Sequence, residues 1–196
     1  MAQAKTKTKT NNSSTVRIIG GQWRGRKLAF PDLADLRPTP DRIRETLFNW
    51  LQPYIGGARC LDMFAGSGVL GFEAASRGAA SVVLLELAPA AVATLTANQQ
   101  TLKAVNCHVL AQDALAFIAD TDQQYDIIFL DPPYRADLWQ QAADLLEQQH
   151  CLLAHSVIYL ECPAKQLLPE VPANWQLIKD KSAGEVRYCL FARRDP

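Results

Sequence analysis

From residue 59 onward, apolar residues alternate between two rhythms. Short continuous runs such as Val82-Val83-Leu84-Leu85 and Ile127-Ile128-Phe129-Leu130 are rich in branched side chains, the mark of strands buried on both faces. Longer, mixed stretches such as residues 89–103 lie between them and read as helices. The alternation predicts strands near 59–64, 81–86, 106–110, 125–130 and 156–161, and helices near 68–77, 89–103, 114–119 and 137–148. Strands and helices in alternation make a parallel sheet with crossover helices. Two last strand-like runs, near 174–181 and 185–192, are joined only by Ser182-Ala183-Gly184, and so short a link makes an antiparallel hairpin. The expected fold is α/β and Rossmann-like: a seven-stranded, mostly parallel sheet ending in that hairpin.

Upstream of residue 59 the pattern changes. Residues 1–15 are Lys/Thr/Asn/Ser-rich without apolar periodicity and are expected to be a disordered tail. Val16 to Leu28 reads as a hairpin whose Gly-rich turn carries Trp23, Arg24, Arg26 and Lys27, an aromatic among cations. Arg37-Pro38-Thr39-Pro40 precedes a helix from about Asp41 to Leu51, with Thr39 or Asp41 as its cap and Pro40 in its first turn. Ile43, Leu47, Phe48, Trp50 and Leu51 form a stripe that packs on the body, which leaves Arg37, Arg42 and Arg44 for an outer face.

Composition narrows the class. Of 196 residues 48% are hydrophobic, enough for a real core, yet no apolar run approaches the roughly 18 residues of a membrane span. No hydrophobic leader opens the chain. The five cysteines are scattered without a Cys-x-x-Cys pair, as expected of buried free thiols in a reducing cytoplasm. His108, His150 and His155 lack metal spacing, so no metal is expected. The zero net charge hides an asymmetry: residues 1–60 hold 11 Lys/Arg against 4 Asp/Glu, residues 61–196 hold 9 against 16. One basic end on a neutral protein suits a polyanionic partner.

The candidate chemistry lies where strands end. Gly66, Gly68 and Gly71 satisfy Gly-x-Gly-x-x-Gly, and Glu86 follows 20 residues after Gly66, as in dinucleotide sites. Asp62, however, precedes the glycines and ends the first strand. A carboxylate there suits an ammonium and repels a pyrophosphate, so it favours S-adenosylmethionine. Asp113 ends the third strand, placed to accept from an adenine amino group or to cap a helix. After the fourth, Asp131-Pro132-Pro133-Tyr134 stops the chain abruptly, since the prolines lack N–H groups and fix φ. Open α/β sheets bind ligands at this edge.

These motifs resemble class I S-adenosylmethionine-dependent methyltransferases acting on exocyclic amines. More narrowly, Arg17-Ile18-Ile19-Gly20-Gly21-Gln22-Trp23-Arg24-Gly25-Arg26, Arg37 to Asn49, Asp62 to Gly68 and Asp131 to Tyr134 resemble the bacterial 16S ribosomal RNA guanine-N2 methyltransferase family, over residues 16–192. The resemblance implies a methyltransferase domain over 56–196 behind a basic extension over 16–55. It implies a cofactor site of Asp62, Phe64, Ala65, Gly66, Ser67, Gly68, Glu86, Leu87, Asp113, Ala114 and Asp131. It implies catalysis at Asp131, Pro132 and Tyr134: Asp131 and the Pro132 carbonyl orient the amine, or Asp131 takes its proton, while Tyr134 stacks on an extruded base. Arg17, Trp23, Arg24, Arg26, Lys27, Arg37, Arg42, Arg44 and Arg135 are the expected contacts to ribosomal RNA, within the small subunit or its assembly intermediate. The expected enzyme is a cytoplasmic monomer. Competing readings are an adenine-N6 methyltransferase of DNA or RNA, a dinucleotide-dependent oxidoreductase, and a non-catalytic RNA-binding module.

Overall fold

The computed structural model describes residues 13–33 and 37–194. A seven-stranded sheet forms the centre, in the order β5 (Cys107–Ala111), β4 (Ser81–Glu86), β3 (Arg59–Asp62), β6 (Tyr125–Leu130), β7 (Leu152–Pro163), β9 (Val186–Arg193), β8 (Trp175–Ala183). The first five run parallel; β9 pairs antiparallel with β7, and β8 with β9. This is the expected class I methyltransferase sheet. Its order reverses between β3 and β6, where such folds bind ligands.

Both faces are covered, which is why the parallel strands are apolar throughout rather than alternating. α1 (Asp41–Leu51), α2 (Val69–Ser76) and α3 (Pro89–Leu102) pack on one face through Leu47, Phe48, Phe72 and Leu95. α4 (Ala114–Asp120) and α5 (Trp139–Gln148) cover the other through Ile118, Trp139 and Leu146. All eight residues of α2 are buried. All five cysteines are buried free thiols, and burial pushes Cys107 up to about 12. Among the described residues no helix is long and apolar enough to cross a membrane.

β1 (Ser13–Arg17) and β2 (Lys27–Pro31) form a separate two-stranded sheet. The expected disordered tail is shorter than its sequence suggests: residues 13–15 pair with residues 29–31, which satisfies the backbone groups that face β2. Residues 1–12 of that tail lie outside the described residues. The hairpin is fastened to the body by polar contacts. Asn98 of α3 accepts from Ala29 N–H at 3.1 Å and donates to Ala29 O at 2.8 Å. Ser76 of α2 takes Gln22 N–H on its carbonyl and Trp23 N–H on its hydroxyl, while that hydroxyl donates to Gly20 O. Gly21 has φ +72, and a Cβ there would lie 1.9 Å from the Ser76 carbonyl oxygen. Only glycine fits both the conformation and the approach.

The start of α1 departs from expectation. Pro40 is the N-cap, no side chain caps the helix, and Thr39 is buried. The Thr39 carbonyl instead accepts from Arg44 Nε at 3.0 Å, and Asp41 pairs with Arg44 and Arg17.

Candidate active site

Register sets a row of acids along the carboxyl edge of the sheet. Asp62 pairs with Leu84 of β4 and with Phe129 of β6, and Phe129 pairs with Tyr159 of β7. Residues in register across parallel strands share a face, and so do residues two apart along one strand. Glu86 lies two beyond Leu84, Asp131 two beyond Phe129, and Glu161 two beyond Tyr159, so all three continue the face of Asp62. Asp113 follows β5 by two residues. Acids rather than cations line the strand ends. That donor set fits an ammonium, ribose hydroxyls and an adenine amino group, and it opposes a pyrophosphate.

The turn from β3 into α2 is built around two of these acids. Ala65 N–H donates to Leu85 O at 2.9 Å and Gly66 N–H to Glu86 Oε2 at 2.8 Å. Gly68 sits at φ +75, where a Cβ would come within 2.3 Å of Leu95. Ala65, Ser67 and Gly68 are buried, while Phe64 and Gly66 are half-buried. Asp62 is only 3% exposed and its Oδ2 accepts from Gly71 N–H at 3.0 Å, so it supports the loop from within as well as ending the strand. Burial pushes its carboxyl up to about 7; the Gly71 N–H opposes the rise and the Glu86 charge adds to it.

Glu86 Oε1 also accepts from the N–H groups of Leu87 and Ala88, both at 2.8 Å. Leu87 is 62% exposed beside it, an apolar surface with nothing of this chain over it. Asp113 caps α4 through Oδ1, which accepts from Ala116 N–H at 2.9 Å, and Ala114 is buried behind it. The capping role leaves its other carboxylate oxygen free to accept.

The Asp131-to-Tyr134 corner lies between β6 and a single 3-10 turn, Tyr134–Ala136. Pro132 is buried, Asp131 half-buried, and Tyr134 exposed. Among the described residues no donor hydrogen-bonds to the Asp131 carboxylate. Burial first, then the charges of Glu161 and Asp62, hold its carboxyl well above the ordinary range. Glu161, absent from the expected site, is its neighbour. Its Oε1 accepts from Tyr134 OH at 3.2 Å and its Oε2 from Tyr159 OH at 2.7 Å, while Trp139 Nε1 donates to its backbone oxygen at 2.7 Å. Burial raises Glu161 too, and the two phenols pull it back. The pattern that exposed the other acids was present here as well: Leu160-Glu161 ends a fifth apolar run.

The cations divide. Arg17, Arg24, Arg26, Lys27, Arg37, Arg42 and Arg135 are exposed. Arg26 also donates to the Thr101 carbonyl at 3.2 Å, which seats the hairpin turn on the end of α3. Two expectations fail. Arg44, assigned to an outer RNA-facing surface, is 0% exposed: it donates to Glu73 Oε2 at 3.3 Å and to Asp41 Oδ1 at 2.5 Å. Trp23, read as an exposed aromatic, is half-buried and packs against the core. The Ser76 hydroxyl holds the Trp23 backbone against the body, and Glu73 supplies the countercharge that makes burial of Arg44 tolerable.

A family model described as conserved hypothetical protein 95 matches residues 16–192. The chain is 50% identical, over 93% of its length and 92% of the relative's, to the Escherichia coli protein named ribosomal RNA small subunit methyltransferase D. A solved structure titled putative methyltransferase yhhF, also from E. coli, superposes with a TM-score of 0.87 at 47% identity, covering 93% of this chain and all of that one. A T. thermophilus 16S rRNA N2 G1207 methyltransferase in complex with AdoMet and guanosine shares the fold at 22% identity and a TM-score of 0.66, covering 93% of this chain and 50% of that one.

Proposed function

The chain belongs to the family of the ribosomal RNA small subunit methyltransferase D proteins, and we propose that it methylates the exocyclic N2 of a guanine in 16S rRNA. Its class is S-adenosylmethionine-dependent rRNA methylation. The observation that carries the finer reading is the half-buried Asp131 carboxylate just past β6, without a hydrogen-bond donor among the described residues, in the acid row and three residues before the exposed Tyr134.

S-adenosylmethionine brings a methyl group made electrophilic by its sulfonium. The protein's part is binding, orientation and protection. Asp62 sits deep at the end of β3, where its carboxylate draws the ammonium of the methionine moiety towards the loop. Glu86 has four acceptor sites and uses three on backbone N–H groups, which leaves one for a ribose hydroxyl. Leu87 offers a face to the adenine, and the free oxygen of Asp113 accepts from its amino group.

An exocyclic amine is a weak nucleophile because its lone pair delocalises into the ring. Asp131 and the Pro132 carbonyl accept its hydrogens, which localises the lone pair and aims it. Tyr134 stacks on the base and holds it there. Orientation of this kind lowers a barrier by several kcal/mol. Asp131 is first an orienting acceptor; the methylated ammonium is acidic enough to lose its proton without a strong base. The exposed cations of the hairpin and of α1, with Arg135 beside the corner, hold the RNA by its phosphates. Residues 16–55 act as the RNA-binding extension of the domain that follows.

The test is incubation with labelled S-adenosylmethionine and small ribosomal subunits, or their assembly precursors, followed by nucleoside analysis. Label in N2-methylguanosine is expected. Label in N6-methyladenosine, or none in any assembly state, would refute the reading.

A further inference from the structure

We propose that Glu161 sets the base specificity of the corner: with Asp131 it forms a two-acceptor edge that takes a base presenting an amine and a ring N–H side by side. This rests on the amine-methylation reading above. Guanine carries that edge, since its N2 amine adjoins the N1–H. Adenine does not: the ring nitrogen beside its N6 amine is an acceptor, and facing a carboxylate it would be repelled.

The geometry comes from the ladder. Leu130 and Leu160 are partners across β6 and β7, so the next residues stand side by side, Asp131 just past the end of β6 and Glu161 two residues before the end of β7, roughly 5 Å apart across the strands. The level below, Phe129 and Tyr159, packs ring to ring at 6.4 Å on the same face. Glu161 is fixed three ways. Its backbone oxygen is held by Trp139, Oε2 by the buried Tyr159 phenol, and Oε1 by Tyr134, the residue expected to hold the base. Each carboxylate oxygen has two acceptor positions, and the 3.2 Å contact from Tyr134 leaves Oε1 with one.

Among the described residues no cation pairs with either acid: the groups facing them are Asp62 from β3, Tyr159 and Cys162 from β7, and Tyr134 from the turn. Two acids set together without a countercharge repel each other, and a ligand edge with two donors relieves that repulsion. A site built to hydrogen-bond a donor rejects strongly the analogue that lacks it.

The nucleoside 2-aminopurine riboside keeps the amine of guanosine, but its N1 is a bare acceptor and its O6 is gone, so the ring N–H is read from how the preference changes with the side chain at position 161. Guanosine and 2-aminopurine riboside are compared as inhibitors of methyl transfer to small subunits, with the wild type, E161Q and E161D. The wild type is expected to favour guanosine by roughly 10- to 100-fold. In E161Q the amide can turn its NH2 towards N1, so the ratio should fall to about 2 or below, with S-adenosylhomocysteine binding unchanged. E161D, which keeps the charge but withdraws it by one methylene, should lie between. An equal ratio in wild type and E161Q overturns the proposal, and so does a wild type that does not discriminate or is not inhibited by guanosine at its solubility limit. The wild-type measurement stands even if no variant folds. If the wild type makes no N2-methylguanosine at all, the parent reading has failed; if it does and the ratio does not move, only the role of Glu161 has.

Discussion

Two buried glutamates, Glu73 and Glu161, sit on the same side of the sheet and are treated in opposite ways. Glu73 on α2 is ringed by donors that neutralise it: Arg44 at 3.3 Å, Arg77 at 2.8 Å and the N–H of Ile19 at 2.8 Å. Arg77 in turn lies 4.9 Å over the Phe48 ring. Glu161 has two phenols for company and a second acid as neighbour. The contrast separates an acid that ties elements together from one held ready for something outside the chain. Burial alone does not distinguish them; the charge of the surroundings does.

The comparison breaks first at Glu73. E73A leaves Arg44 buried with half its countercharge, and breaking a buried pair costs about 3–5 kcal/mol. Thermal denaturation should show Tm down by about 10 °C, and an unchanged Tm would remove Glu73 from its tying role. At the ligand edge the effect should appear in rate rather than stability. D131A is expected to lower kcat/KM on small subunits by roughly 10²–10³-fold with Tm held or raised, since one of two crowded acids is gone. A large fall in Tm with little loss of rate would exchange the roles of the two regions.

Asp62 joins both behaviours and responds to pH. Its carboxyl in the folded protein is pushed up to about 7, above the roughly 3.9 of an unfolded aspartate. Between these values the folded state binds more protons than the unfolded, so this group removes stability as pH rises through that window. An ammonium bound beside it favours the ionised form. Affinity for S-adenosylhomocysteine, read by calorimetry, should therefore rise as pH rises through about 7, and D62N should flatten that rise. The smallest effect belongs to the surface. R24A and R26A should each reduce the slope of log affinity for RNA against log salt by about 1. R44A should leave the slope alone while losing Tm, because Arg44 touches Glu73 and Asp41 rather than solvent.

Much of the edge is legible in the sequence. Strand runs read within a few residues because four apolar side chains in a row leave little alternative, and acids ending four of them pointed to one site. Local pattern does not reveal partners far away in the chain. Arg44 reads as surface by its charge, although its spacing to Leu47, Phe48 and Leu51 sets it on the apolar stripe; Glu73, 29 residues on, supplies the buried partner that the local pattern does not show. Trp23 stands between Gln22 and Arg24, and nothing nearby announces that Ser76 will hold its backbone. The caps of α1 failed for a local reason: the Thr39 carbonyl and the Asp41 carboxylate accept from the Arg44 side chain, five and three residues on, instead of from the first N–H groups of the helix.

The Asn98 side chain, exchanging both its hydrogen bonds with Ala29, behaves as one more rung on the β1–β2 ladder. Ser76 and Glu73 grip the same segment farther along. The hairpin is thus no interchangeable attachment. Cutting the chain after it would strand three polar side chains on the body and strip cover from Ile18 and Leu28's neighbours in the core. If residues 16–55 hold RNA as proposed, they cannot be exchanged for another segment without recutting α2 and α3 to match it, because Glu73, Ser76 and Asn98 would lose their partners.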